Sequence, residues 1–187
     1  MRIIGGKYKG TALASLGKGD LDAHLRPTTD RVRESLFNLL AHGDYPSIEG
    51  TRVLDLFAGT GALGFEALSR GAARALFVDD GAKSRALVRQ NIDTLQVIGQ
   101  TKLYRRDATK MGINRGDPYD LVFLDPPYGK GLGERALQSC VLGGWLAAEA
   151  LVIWEENNSI APPTGFRLLD QRKYGETVIS IMQRLAG

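Results

Sequence analysis

An α/β domain built on a mostly parallel sheet is the fold class this sequence predicts, and three observations predict it. From residue 52 to residue 154, short apolar runs alternate with stretches of helical period, as in a parallel sheet covered on both faces. The first run closes in Asp55-Leu56-Phe57-Ala58-Gly59-Thr60-Gly61-Ala62-Leu63-Gly64, where glycines let the chain turn from strand to helix and approach a ligand closely. The last two runs are separated only by a turn at Gly175, so they are expected to pair as an antiparallel hairpin. With 187 residues, the chain is long enough for one domain with a full core.

The elements follow in order. Residues 2–14 read as a short β-hairpin around Gly5-Gly6 and Lys9-Gly10, and residues 15–25 as a loop bearing Gly and Asp. Pro27, Thr28, Thr29 and Asp30 supply a proline and candidate caps for a helix with Val32, Leu36, Leu39 and Leu40 on its apolar face, ended by His42-Gly43. Strands are predicted at 52–57, 75–78, 102–105, 121–124 and 151–154, and the closing pair at 166–173 and 176–183. Helices are predicted at 63–70, 82–95 and 132–142. The chain divides into an extension, residues 1–45, and a core, residues 50–187, within one domain.

Composition narrows the class. Hydrophobic residues make up 43% and charged residues 24%, ordinary values for a soluble globular protein. No apolar run approaches the roughly 20 residues of a membrane helix, and Met1-Arg2-Ile3-Ile4-Gly5-Gly6 lacks a signal-peptide core. A single cysteine, Cys140, excludes an internal disulfide and a cysteine-rich zinc site. Only His24 and His42 offer imidazole. A cytoplasmic, metal-free protein is the expectation.

Four acidic positions carry the chemistry. Gly59-x-Gly61-x-x-Gly64 matches a dinucleotide fingerprint literally, but Asp55 stands four residues before its first glycine. A pyrophosphate gains nothing from that carboxylate, whereas a ligand bearing an ammonium and a sulfonium, such as S-adenosylmethionine, does. Phe57, Gly59, Thr60 and Gly61 would surround it. Asp79 ends the second strand, where a carboxylate can take both hydroxyls of a ribose, and Asp80 beside it is an alternative. Asp107, in Arg105-Arg106-Asp107-Ala108, follows the third strand and can accept from an adenine amino group. Asp125-Pro126-Pro127-Tyr128 follows the fourth. Its prolines stiffen the backbone and aim the Pro126 carbonyl, which with Asp125 can accept both hydrogens of an –NH₂ group. The amine lone pair then faces a methyl donor, and Tyr128 offers a ring for a base to stack on. In a doubly wound sheet the first and fourth strands are neighbours, so the two turns would lie side by side.

These residues resemble the class I methyltransferases and, among them, the RsmD-type 16S ribosomal RNA guanine-N2 methyltransferases. The resemblance runs over nearly the whole chain, from Arg2-Ile3-Ile4-Gly5-Gly6-Lys7-Tyr8-Lys9-Gly10 through Arg26-Pro27-Thr28-Thr29-Asp30-Arg31-Val32-Arg33-Glu34-Ser35-Leu36-Phe37-Asn38 to Tyr174-Gly175-Glu176-Thr177. It implies a Rossmann-like sheet of seven strands with the last antiparallel, helices on both faces, and S-adenosylmethionine as the only cofactor. The implied target is a guanine of 16S ribosomal RNA, within the small subunit or an assembly intermediate. Many relatives carry Glu where Asp79 stands, which leaves the ribose contact open between Asp79 and Asp80.

The charge has a place in this scheme. Residues 1–35 hold seven basic residues (Arg2, Lys7, Lys9, Lys18, Arg26, Arg31, Arg33) against Asp20, Asp22, Asp30 and Glu34, so they carry the whole net charge of +3. They are expected to contact RNA phosphates through Arg2, Lys7, Lys9 and Arg33, with Arg26 nearer the active-site mouth. Arg33 and Phe37 could instead reach the cofactor pocket. A core starting near residue 52 is not expected to need this segment to bind its cofactor. The competing readings are an NAD-dependent oxidoreductase, a non-catalytic RNA-binding scaffold, and an amine methyltransferase acting on another RNA, DNA or protein glutamine.

Overall fold

The computed structural model describes residues 1–17 and 28–187. In chain order it comprises α1 (Asp30–His42), β1 (Arg52–Leu56), α2 (Ala62–Ser69), β2 (Arg74–Val78), α3 (Ala82–Leu95), β3 (Thr101–Tyr104), β4 (Tyr119–Leu124), α4 (Leu132–Leu142), β5 (Leu146–Glu156), β6 (Phe166–Tyr174) and β7 (Thr177–Arg184). The strands form one seven-stranded sheet in the order β3-β2-β1-β4-β5-β7-β6. β1 pairs in parallel with both β2 and β4, setting Leu56 beside Val78 and Leu124. β7 pairs antiparallel with both β5 and β6, so it alone runs against the rest. This is the sheet the resemblance implies. Among the described residues, no helix is long and apolar enough to cross a membrane.

Strand alternation divides the core. Phe123 and Ile153 face one side, where they join Phe65 of α2, Val88 of α3 and Leu36, Phe37 and Leu40 of α1. Leu124 and Trp154 face the other, against Ala136, Leu137 and Cys140 of α4. The Thr29 hydroxyl caps α1 by accepting from Val32 N. The buried stripe of that helix is Arg33, Leu36, Phe37 and Leu40, at i, i+3, i+4 and i+7, while Val32 and Leu39 are half-buried. The expected stripe was thus turned slightly, with a charged residue inside it.

The N-terminal ribbon closes through one antiparallel bridge, Arg2 to Ala12, and packs Ile3 and Leu13 into the same core. Its backbone is held by α2. Glu66 is wholly buried and accepts from Ile4 N, Gly5 N and Arg70 Nε, each at 2.9 Å. Arg33 Nη1 lies 3.7 Å from the same carboxylate. Gly6 has φ +77, and a Cβ there would stand 1.9 Å from Ser69 O, so only glycine allows the ribbon this close. Arg33 is fully buried, bonding to Asp30 and to the Arg2 carbonyl. The expectation that Arg33 meets RNA phosphate is therefore corrected: its charge is consumed inside the fold, and it lines neither the cofactor-sized cavity described below nor the surface.

Candidate active site

Four carboxyl groups gather at one edge of the sheet because four adjacent parallel strands end there. Asp55 is the penultimate residue of β1, Asp79 follows β2, Asp125 follows β4, and Glu155 is the penultimate residue of β5. Strand order reverses between β1 and β4, and ligands of such sheets bind in the crevice this leaves.

Asp55 is buried, and its Oδ2 accepts from Gly64 N at 3.0 Å. That bond depends on glycine, since a Cβ at Gly64 would lie 2.5 Å from Phe77 Cε1 and 3.1 Å from Asp55 Oδ2. Burial pushes the Asp55 carboxyl up to about 8, against the pull of the Gly64 N–H and with a further push from Asp79. Phe57 takes a left-handed backbone with φ 56, a costly conformation for an aromatic residue, which turns the chain out of the sheet into the glycine loop. Asp79 fastens that loop, its Oδ2 accepting from Gly59 N at 2.9 Å and its Oδ1 from Gly81 N at 2.8 Å. Burial raises the Asp79 carboxyl, and these two N–H groups oppose the rise. On α3, buried Asn91 donates to Thr60 O at 3.0 Å and exchanges hydrogen bonds with the backbone of Ala14. The ribbon and the glycine loop are thus linked through one side chain.

A cavity of about 630 Å³ opens over this loop, within the usual range for small-molecule sites. Asp55, Phe57, Gly59, Thr60, Asp79, Asp80, Asp125, Pro126, Pro127 and Tyr128 line it. Gly61 does not; it is the left-handed N-cap of α2. Asp107 and Ala108 also stand outside the lining. The Asp107 Oδ1 accepts from the Thr109 hydroxyl and backbone, which holds its carboxyl below the usual range. Asp80 is the more exposed of the acidic pair.

The Asp125 turn, which follows the strand paired with β1, lines the same cavity. Burial raises the Asp125 carboxyl well above the ordinary carboxylate range, and Glu155, Asp55 and Glu156 add to the rise. The Tyr128 hydroxyl donates to Glu155 Oε1 at 2.8 Å, and the Thr28 hydroxyl donates to Glu155 Oε2 at 2.6 Å. Gly129 N donates to Glu156 Oε1 at 3.2 Å, tethering the end of the turn. A second cavity of about 630 Å³ shares the walls Thr28 and Tyr128 with the first. It is lined also by Arg31, Glu155 and the whole Tyr174-Gly175-Glu176-Thr177 segment.

Sequence reasoning missed Glu155 and Thr28, although the signal for Glu155 was available. It is an acid at the end of an apolar strand, the criterion that singled out Asp55, Asp79 and Asp125. Of the basic residues expected at RNA, Lys7 and Lys9 are exposed, and the Arg2 side chain is 69% exposed, its Nε 3.9 Å from Asp30. Arg26 lies outside the described residues.

The arrangement suits a ligand that donates hydrogen bonds and carries positive charge. It also suits a second reactant whose amine is held at Asp125. The profile of a family described as "Conserved hypothetical protein 95" matches residues 1–183. The chain is 40% identical over 190 residues to ribosomal RNA small subunit methyltransferase D of Escherichia coli K12, covering 100% of this chain and 91% of that protein. It is 36% identical over 184 residues to the protein of the same name from Haemophilus influenzae, covering 94% and 89%. The solved Escherichia coli protein yhhF superposes with a TM-score of 0.84 at 36% identity, covering 100% of this chain and 99% of that one.

Proposed function

This chain belongs to the conserved hypothetical protein 95 family, and from that premise we propose that it methylates the exocyclic N2 amine of a guanine in 16S ribosomal RNA, using S-adenosylmethionine, in the cytoplasm. The observation that carries the reading is the shared cavity: the Asp55 loop and the Asp125-Pro126-Pro127-Tyr128 turn follow paired strands and line one space. Relatives at 36–40% identity named as small-subunit ribosomal RNA methyltransferases support the substrate class.

The residues fit the cofactor. Asp55, Asp79 and Asp80 make the lining acidic, which favours a cationic amino acid over the pyrophosphate that an NAD-dependent oxidoreductase would place there. S-adenosylmethionine, when bound, supplies an electrophilic methyl group on a cationic sulfur. Asp55 would hold the ammonium, and Asp79 with Asp80 the ribose, while Phe57 and the Gly59–Thr60 backbone close round the remainder. Asp125 and the Pro126 carbonyl would accept the amine hydrogens of the target base, so that the nitrogen lone pair points into the cavity. Tyr128 would stack on that base, which has to leave its helix to enter. Positioning of this kind supplies most of the rate in a displacement whose reactants are both held and aligned. Lys7, Lys9 and Arg2 would meet phosphates outside the site.

Mass mapping of 16S ribosomal RNA from a strain lacking the gene tests this. One N2-methylguanine is expected to disappear and to return when small subunits from that strain are treated with purified protein and S-adenosylmethionine. An unchanged map, or a lost methyl group on another atom or molecule, overturns the reading. Calorimetry provides the cofactor arm, with heat expected from S-adenosylmethionine and none from NAD.

A further inference from the structure

We propose that the second cavity receives the target guanine and that Glu155 selects it, accepting a hydrogen bond from the guanine N1–H while Asp125 and the Pro126 carbonyl hold its N2 amine. The inference rests on the functional reading above and names the specificity determinant of that same site.

The sheet register carries the first part of the argument. Leu124 pairs with Trp154 in the parallel β4–β5 ladder, so the next residues, Asp125 and Glu155, come level at the carboxyl end. Side chains alternate along strands, so both lie on the face opposite Leu124 and Trp154. Asp125 lines the first cavity and Glu155 the second, and Thr28 and Tyr128 belong to both. A planar group seated in the second cavity with its edge toward the shared wall would meet both carboxyls.

Hydrogen-bond chemistry identifies the group. Glu155 is 6% exposed, and each of its oxygens accepts one bond, from Thr28 or Tyr128. A carboxylate oxygen has two lone pairs, so each retains acceptor capacity. When ionised, the two carboxyls present acceptors only, as does the Pro126 carbonyl, and a ligand that donates to the carboxyls favours that ionised form over the raised, protonated one. Guanine is the base that matches, because its Watson–Crick edge offers the N1 hydrogen and two amine hydrogens side by side. Adenine and cytosine also carry an exocyclic amine, but a ring-nitrogen lone pair stands next to it and would face Glu155. A site built to accept from a donor rejects the analogue that lacks it, since its own polar group is left unpaired. Burial and Glu156 raise the Glu155 carboxyl against the two hydroxyl donors, so an extra donor from the substrate also offsets the repulsion between Glu155 and Asp125. Tyr174 and Arg31 on the remaining walls suit a ring and a phosphate of the same nucleotide.

The test uses small ribosomal subunits reconstituted from ligated RNA that carries either guanine or 2-aminopurine at the mapped position. 2-Aminopurine keeps the methyl-accepting amine and has a lone pair in place of N1–H. The wild-type chain is expected to prefer guanine by roughly tenfold or more in kcat/KM. Glu155→Gln can turn an amide N–H toward that lone pair. It is expected to lose roughly tenfold on guanine and to narrow the preference to about threefold or less, with S-adenosylmethionine affinity unchanged. If Glu155 merely tethers Tyr128 and Thr28, both substrates fall by one factor and the preference stays, which overturns the proposal. Equal use of both bases by the wild type overturns it as well. Methylation of neither particle by the wild type sinks the functional reading, and this inference with it.

Discussion

Buried carboxyl groups occur in two regions of this molecule, and they are treated in opposite ways. Glu66, under the N-terminal ribbon, is fully enclosed and accepts from two backbone N–H groups and Arg70, with Arg33 close by. Asp55 and Asp125, at the carboxyl edge of the sheet, are raised chiefly by burial; Asp55 takes one N–H, and no hydrogen bond to a described residue helps hold Asp125 ionised. The first region spends its acceptors on the chain itself and so fastens a segment. The second keeps acceptors free in a cavity at a cost in stability, as a site does when its missing partners belong to a ligand.

Removing a carboxylate from each region sharpens the contrast. Asp125→Ala is expected to lower methyl transfer on the order of a thousandfold, since two positioned acceptors are needed to aim the amine. Calorimetric affinity for S-adenosylmethionine should stay within a small factor, because the partner of Asp125 is the base. Turnover close to wild type would end the presentation mechanism. Glu66→Gln is expected to act on stability instead, costing about 1–3 kcal/mol in denaturant unfolding, because the buried charge that pairs with Arg70 and faces Arg33 is removed while Asp30 still pairs with Arg33. Wild-type stability in that variant would break the comparison at its structural end.

Asp55 gives a smaller effect with a sign that can be worked out. Asp55→Ala is expected to weaken cofactor binding by roughly 1.5–3 kcal/mol, the scale of a charge-assisted hydrogen bond. In the free protein the carboxyl is held up to about 8, so below that pH an incoming ammonium must displace a proton. Affinity is therefore expected to rise with pH toward about 8, by up to tenfold per unit, and the rise to vanish in the variant. Stability runs the other way. A carboxyl raised on folding favours the native state most at low pH and loses that contribution as pH climbs through the folded value. Asp55→Asn, which keeps an acceptor for Gly64 N, is thus expected to be more stable than wild type above pH 8 without ligand. Thermal melts at several pH values check both signs.

The smallest expected effect belongs to the exposed face of the ribbon. Neutralising Lys7 and Lys9 together is expected to weaken RNA binding and to flatten its salt dependence by roughly one to two phosphate contacts, leaving cofactor affinity intact. An unchanged salt slope would reduce these lysines to solvated surface.

Periodicity alone located every strand and helix of the sheet to within a few residues at most boundaries, and α3 at the predicted residues. The main error was β5, which begins five residues before the apolar run that betrayed it, because its first part runs from buried Leu146 through half-buried Ala147 to exposed Ala148 and Glu149, with no strand period. The site residues on strand ends were legible for a physical reason: strand, turn and helix punctuation are local, and an acid after an apolar run stands out. Asp107 met that criterion too, and its Oδ1 bonds to Thr109, two residues along, a contact that the spacing does not reveal.

By itself, then, the sequence determined the α/β alternation, the glycine and proline turns and the acids at the strand ends, all set by the period of burial and by backbone conformation. Tertiary structure alone decided which charges are spent and which are kept. Arg33 looked like a surface cation and became the counter-charge of a glutamate 33 residues away, and Glu155 looked like the end of a strand and became a wall beside Asp125. Desolvation and pairing act through space, and the ionic fate of a side chain depends on neighbours that its own stretch of sequence does not contain.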